Sequence, residues 1–128
     1  MKNLFKKQPD FDSFTSLIAE GTEFTGNIKF SGTLKIQGKV IGEIHNSEND
    51  SCIVIAESGV VHSSAMNSQN IIISGLVQSN TIHADQVLRI LKGAEIQGAT
   101  IFYRSLEIEP GAKLHGCTLK YLDTEEGC

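Results

Sequence analysis

The chain has 128 residues and a formal net charge of −4, which argues against a nucleic-acid partner, because nucleic-acid-binding domains usually carry a basic patch. Hydrophobic residues make up 40% of the chain and aromatic residues only 6%, so a core would be built mainly from Ile, Val and Leu. Cys52, Cys117 and Cys128 form no C-x-x-C pair, so neither a disulfide scaffold nor a zinc site is expected.

The first segment, MKNLFKK, combines three lysines with an apolar Leu–Phe pair. A short segment that is both basic and apolar can bind the anionic surface of a cytoplasmic membrane. We therefore predict a membrane-binding segment formed by Lys2, Leu4, Phe5, Lys6 and Lys7; the alternative is a disordered, solubilising tail. The sequence has no apolar run of about 18 residues and no signal peptide, so we expect a cytoplasmic protein, peripheral at the inner face of the membrane.

A repeat with a period near 18 residues begins at about residue 14. Each copy has an isoleucine that ends a strand-like stretch: Ile18, Ile36, Ile55, Ile73, Ile90 and Ile108. Each copy then has a second apolar stretch with Gly or Ser at its centre: FTGNI, VIGEI, VHSSAM, VQSNTI, IQGATI and LHGCTL. A third apolar position is predicted at Phe30, Met66 and Phe102. Apolar and polar residues alternate within the copies, which is typical of β-strands.

These features predict an all-β parallel solenoid of about six turns of about 18 residues, each with about three short strands. Gly and Ser would form the bends, because a bend must turn tightly beside the bend of the next turn. We place the solenoid at residues 14–120, between an N-terminal tail of residues 1–13 and a short C-terminal tail of residues 121–128. The polar insertion HNSENDS, from His45 to Ser51, is predicted to be a loop between the second and third turns.

Apolar residues lie near both ends of the predicted solenoid, and the tails are too short to cover them substantially. Unpaired strand edges invite pairing with another chain, so we predict end-to-end association into a filament. The candidate interface residues are Phe14, Leu17, Phe102, Leu119, Tyr121 and Leu122. The alternative is a monomer in which Phe14 and Tyr121 cover the core.

No catalytic, metal or cofactor site is predicted, because His45, His62, His83 and His115 match no metal-ligand or nucleophile pattern. One enzyme class still competes, since apolar residues also recur every six positions, as in left-handed β-helices of hexapeptide-repeat acyltransferases. Series such as Val54–Val60–Met66–Ile72 keep this phase. The phase fails at Gly42 and Gln78, however, and the turns vary from 17 to 19 residues. A trimeric transferase is therefore the alternative function.

Taken as a set, IAEGTEFTGNI, LKIQGKVIGEI, IIISGLVQSNTI, LRILKGAEIQGATI and LEIEPGAKLHGCTL resemble the bactofilins, which are bacterial cytoskeletal proteins. The resemblance implies a right-handed, triangular parallel β-helix that polymerises without nucleotide into non-polar filaments. It also implies a short N-terminal membrane-binding motif, to which MKNLFKK is similar, and a scaffold role in localising cell-envelope or cell-shape factors. The implied partners are further copies of the chain, the membrane and unidentified client proteins.

Overall fold

We describe the fold from a computed structural model, which describes residues 15–46 and 50–122. Within these residues all regular secondary structure is β-strand, and every strand pair is parallel. Fourteen strands form one continuous sheet that winds into a solenoid of about six turns of about 18 residues. The predicted solenoid is confirmed.

Each turn contributes three strand segments. The first two turns contain β1 (Ser16–Ile18), β2 (Glu23–Thr25), β3 (Ile28–Lys29), β4 (Thr33–Ile36), β5 (Lys39–Ile41) and β6 (Ile44–His45). The third and fourth turns contain β7 (Cys52–Ile55), β8 (Val60–Ile73) and most of β9 (Leu76–Ile90), of which β8 and β9 continue through bends. The last two turns contain the end of β9 and then β10 (Glu95–Gln97), β11 (Thr100–Tyr103), β12 (Ser105–Ile108), β13 (Lys113–His115) and β14 (Thr118–Tyr121).

The segments stack into three faces. Face A consists of β1, β4, β7, the ends of β8 and β9, and β12. Face B consists of β2, β5, the starts of β8 and β9, β10 and β13. Face C consists of β3, β6, the middles of β8 and β9, β11 and β14. Side chains that point into the space enclosed by the three faces form the core.

The core is organised in columns, because parallel pairing stacks equivalent residues of successive turns. On face A the column is the predicted isoleucine series: Ile18, Ile36, Ile55, Ile73, Ile90 and Ile108. On face B it is the first apolar residue of the second stretch: Phe24, Val40, Val61, Val77, Ile96 and Leu114. Both columns are fully buried in the second to fifth turns. The sequence repeat therefore predicted the register of these two faces correctly.

The third column differs from the prediction. It runs along face C through Ile28, Ile44, Met66, Ile82, Ile101 and Leu119. Of the predicted residues only Met66 belongs to it. Phe102 follows the column residue of its turn and therefore points outward, since a shift of one residue exchanges the two sides of a strand. Phe30 lies two residues after the column residue of the first turn and packs against the core from there.

Gly and Ser form the bends between faces B and C, as predicted. The equivalent positions are Gly26, Gly42, Ser63, Ser79, Gly98 and Gly116. Ser63 and Ser79 do not share the positive φ of the glycines at this position. Each hydroxyl donates a hydrogen bond to the carbonyl oxygen two residues later, at 2.7 Å and 2.8 Å, which holds the turn locally.

The bends between faces A and B have two lengths. Long bends are formed by residues 19–22, 56–59, 91–94 and 109–112, and short bends by residues 37–38 and 74–75. Each short bend nests against the long bend of the preceding turn, with Gly38 and Gly75 facing its backbone carbonyls. The two bend lengths contribute to the variation of the repeat from 17 to 19 residues per turn. They also explain why the six-residue phase fails at Gly42 and Gln78, which follow the two short bends.

The six-residue series is not a core series in the third turn. Met66 points into the core, whereas Val54 and Ile72 lie between inward-facing neighbours and point outward from face A. A hexapeptide-repeat β-helix would direct these aliphatic residues inward. The insertion lies between the second and third turns, as predicted, but its first residue, His45, belongs to β6. Its residues 47–49 lie outside the described residues.

Candidate assembly surfaces

The two ends of the solenoid expose the last members of its core columns. At the N-terminal end, Phe24 is 38% exposed, and at the C-terminal end Ile108 and Leu119 are 44% and 41% exposed. Residues of the same columns in the middle turns are fully buried. The exposure at the ends therefore arises because no further turn is stacked on them within the described residues.

The strands of the two terminal turns also have free backbone edges. Within residues 15–46 and 50–122, β1, β2 and β3 pair only with the second turn, while β12, β13 and β14 pair only with the fifth. A free strand edge carries N–H and C=O groups that can pair with another chain. Each end thus combines apolar side chains with backbone groups suited to strand addition.

Four of the predicted interface residues lie in the terminal turns. Leu17 lies in β1 and is 43% exposed. Leu119 ends the core column of face C. Tyr121 is 63% exposed and contacts Tyr103 with ring centroids 6.0 Å apart. The backbone N–H of Leu122 donates a hydrogen bond to the carbonyl oxygen of Tyr103 at 2.6 Å, which fixes the end of the sixth turn on the fifth.

The remaining predicted residues lie elsewhere. Phe102 lies in the fifth turn, on the outer side of face C, and its ring centroid is 5.6 Å from that of His83. Phe14 and the predicted membrane-binding residues Lys2, Leu4, Phe5, Lys6 and Lys7 fall outside the described residues.

Sequence reasoning missed Phe24 and Ile108 as surface residues of the two ends. Both are repeat positions in the sequence, but the predicted interface does not include them. The signal was present, because the first and last members of any stacked column must be open on one side. Aligning the copies and marking the terminal members would have identified both residues.

The ends carry charges of both signs. The first turn has Glu20 and Glu23 against Lys29, and the sixth has Glu107 and Glu109 against Lys113 and Lys120. Two identical ends can therefore approach each other without a strong like-charge repulsion.

Polar side chains on the outside of the described turns also lie in register columns. His62 and His115 occupy one outer column of face B, together with Gln78 and Gln97. No three His, Cys, Asp or Glu side chains of the described part of the chain are grouped to hold a metal ion. No membrane-spanning helix is found among the described residues either.

One carboxyl of the described surface has a shifted pKa. Hydrogen bonds from His45 Nε2 and Ser64 Oγ, both at 2.9 Å, lower the pKa of Glu43 below its usual value. The group is exposed, so this is a local surface interaction between the second and third turns rather than a buried functional charge.

Comparison with known families identifies the solenoid. A family model described as "Bactofilin: Polymer-forming cytoskeletal" matches residues 16–118, which extend from β1 into β14. No match was found among curated proteins or among solved structures. Since the family model covers most of the chain and all six turns, the chain belongs to the bactofilin family of polymer-forming cytoskeletal proteins.

Proposed function

We propose that this bactofilin assembles end to end into non-polar, nucleotide-independent filaments on the inner face of the cytoplasmic membrane, where it localises cell-envelope or cell-shape factors. The family supports polymer formation. The observation that carries the end-to-end arrangement is that both ends expose column-ending apolar residues beside free strand edges. Nothing in this role requires a reaction, so we propose a scaffold without catalytic activity.

In a non-polar filament each end meets an identical end. The two copies are then related by a twofold axis across the filament, and the contacting edge strands run antiparallel. At the C-terminal end this contact would bury Leu119, Tyr121 and Leu122 together with Ile108. At the N-terminal end it would bury Leu17 and Phe24, with Phe14 as the candidate from the preceding segment.

The assembly surface is tested by Leu119→Arg and Tyr121→Arg, examined by negative-stain electron microscopy without added nucleotide or metal. The wild-type chain is expected to form long uniform filaments. Each substitution is expected to leave only short oligomers, because an unpaired charge buried in the contact costs several kcal/mol.

Phe102→Arg is the matched control, since it introduces the same charge on an outer face one turn away from the end. It is expected to keep filaments of normal length. Filaments of normal length from both end variants would exclude the C-terminal end as an assembly surface. Loss of filaments in Phe102→Arg alone would show that the subunits associate through face C.

The membrane segment is tested by deleting residues 2–7 and measuring sedimentation with anionic liposomes. A single segment with one apolar pair binds weakly, but a filament presents many copies and gains avidity. We therefore expect the deletion to abolish sedimentation while filaments persist.

Two controls accompany this measurement. Neutral liposomes should bind little, and added salt should weaken binding to anionic liposomes, because the lysines act through a screened electrostatic attraction. Undiminished sedimentation of the deletion variant would show that another part of the chain binds the membrane.

A further inference from the structure

A second apolar cluster lies on the outside of the solenoid. The outer cluster consists of Cys52, Val54, Ile72 and Leu91, with exposures of 0%, 0%, 2% and 9%. Val54 lies between Ile53 and Ile55, which both point into the core, so strand alternation directs Val54 outward. An outward side chain in the middle of a sheet face is fully buried only when something covers that face.

Charged residues lie on both sides of the outer cluster along face A. One register column runs through Leu17, Lys35, Val54, Ile72, Arg89 and Glu107. The apolar pair is thus bracketed by two cations, of which Arg89 also pairs with Glu107 at 2.8 Å. A segment that covers this surface should have an apolar centre and acidic flanks.

Only one segment outside the described residues has that composition. Residues 47–49 read SEN and residues 123–128 read DTEEGC, and neither contains Leu, Ile, Val, Met or Phe. The N-terminal segment contains Asp10–Phe11–Asp12, an aromatic residue between two acids. Its other early aromatic residue, Phe5, is followed by two lysines, which the cations of face A would repel.

The length of the chain also fits. Thr15 is fixed at the start of face A, where its N–H donates to the carbonyl oxygen of Thr33 at 2.8 Å. With turns about 4.8 Å apart, Val54 and Ile72 lie roughly 10 Å and 14 Å along the rod from the first turn. The four residues back to Phe11 can span at most roughly 13 Å, so its side chain can reach Val54 and the near side of Ile72.

We propose that the segment of residues 8–13 folds back along the outside of face A and docks Phe11 on the outer cluster, with Asp12 near Lys35 and Asp10 near Arg89. This strap lies in the same chain as the surface that it covers. It would make residues 1–7 leave the rod from one side face rather than from its end, so the N-terminal end stays open for assembly.

The chain contains no Trp, so a single indole can report on the strap. Phe11→Trp and the matched Phe5→Trp are compared by acrylamide quenching, both in a Leu119→Arg chain and at several protein concentrations. The indole of Phe11→Trp should be quenched several-fold less than that of Phe5→Trp and emit at shorter wavelength. Added Ile72→Asp, or the charge reversal Asp10→Lys with Asp12→Lys, should remove the protection, whereas Lys6→Asp with Lys7→Asp should not.

A second readout uses the thiol of Cys52 in a chain with Cys117→Ser and Cys128→Ser. Phe11→Asp should accelerate its reaction with a thiol reagent by roughly tenfold or more, because buried thiols are inert and uncovered ones react. Phe5→Asp should leave the rate unchanged. Neither substitution touches a repeat position, so the solenoid itself should keep its circular dichroism spectrum.

Three results would contradict the proposed strap. Equal quenching of the two indoles would show that Phe11 is not docked. Protection that survives both Ile72→Asp and the charge reversal would place Phe11 on another surface. Protection that disappears on dilution would assign the cover to a second copy of the chain. None of these readouts depends on filament formation, so a failure of the strap is distinguishable from a failure of end-to-end assembly.

Discussion

Gly75 occupies a bend in which its missing side chain is a steric requirement. A Cβ at this position would collide with the carbonyl oxygens of Ala56 and Gly59 in the long bend of the preceding turn. The conformation of Gly75 is not left-handed, since its φ is not among the positive values. The requirement therefore comes from the stacking of bends and not from the backbone torsion of the residue itself.

We expect Gly75→Ala to lower the free energy of unfolding by about 2 kcal/mol or more, because overpacking against backbone forces the bend to move. Gly98→Ala is the control. Gly98 has φ 68° and nothing within 4 Å of an added Cβ. Gly98→Ala should therefore lower the free energy of unfolding only by the penalty for a left-handed backbone, about 1–2 kcal/mol. Gly98→Asn should lower it less, because Asn tolerates this conformation better. Chemical denaturation of all three variants tests this difference; a Gly75→Ala protein as stable as Gly98→Asn would contradict it.

At the scale of strands, the position of a turn decides what its column residue contributes. Ile73 and Ile108 are members of one column, yet Ile73 is fully buried and Ile108 is 44% exposed. Ile73→Ala should cost about 2–5 kcal/mol of stability, since it leaves a cavity between two stacked turns. Ile108→Ala should cost clearly less in the unassembled chain.

The same two substitutions distinguish an effect on folding from an effect on filament assembly. When the concentration needed for filaments is measured by sedimentation, Ile108→Ala should raise it more than its stability loss explains, because the contact between ends buries this residue. Equal stability losses for both variants would mean that the sixth turn is already covered. An unchanged assembly concentration for Ile108→Ala would remove this residue from the contact.

Whether the sequence predicted a core column correctly depended on how regular the spacing between its strands was. The core columns of faces A and B could be predicted, because every copy of the repeat has an apolar residue equivalent to Ile36 and another equivalent to Val40. The column of face C was predicted incorrectly at Phe102. The spacing from the face B column to the face C column is not constant: it is four residues from Val40 to Ile44 and five from Ile96 to Ile101. Because side chains alternate along a strand, an error of one residue assigns a side chain to the wrong side of the sheet. Val54 and Ile72 resembled core residues in the sequence, and only the register shows that they face outward.

At the scale of the whole molecule, the polarity of the filament can be tested directly. Filaments built from like ends place a C-terminal residue beside the same residue of the next copy, whereas head-to-tail filaments never do. We expect a single cysteine at position 108, 114 or 119 to form a covalent dimer with itself when filaments are treated with a short bismaleimide.

The chain used for this measurement carries Cys117→Ser and Cys128→Ser, while Cys52 is buried and remote from both ends. Leu17→Cys serves as the same test for the N-terminal end. Dimers that appear only when a C-terminal cysteine is combined with an N-terminal one would demonstrate polar filaments instead.

The alternation of long and short bends has a consequence for the length of the rod. In the first four turns a short bend always rests on a long one, and no short bend rests on another among the described turns. A duplication of residues 52–86 would keep this order and add roughly 10 Å to each subunit. A duplication of the fourth turn alone would place Gly75 against a copy of its own short bend. Duplicating this pair of turns should therefore lengthen the subunit by two turns, whereas a second copy of a turn with a short bend should not stack on the first.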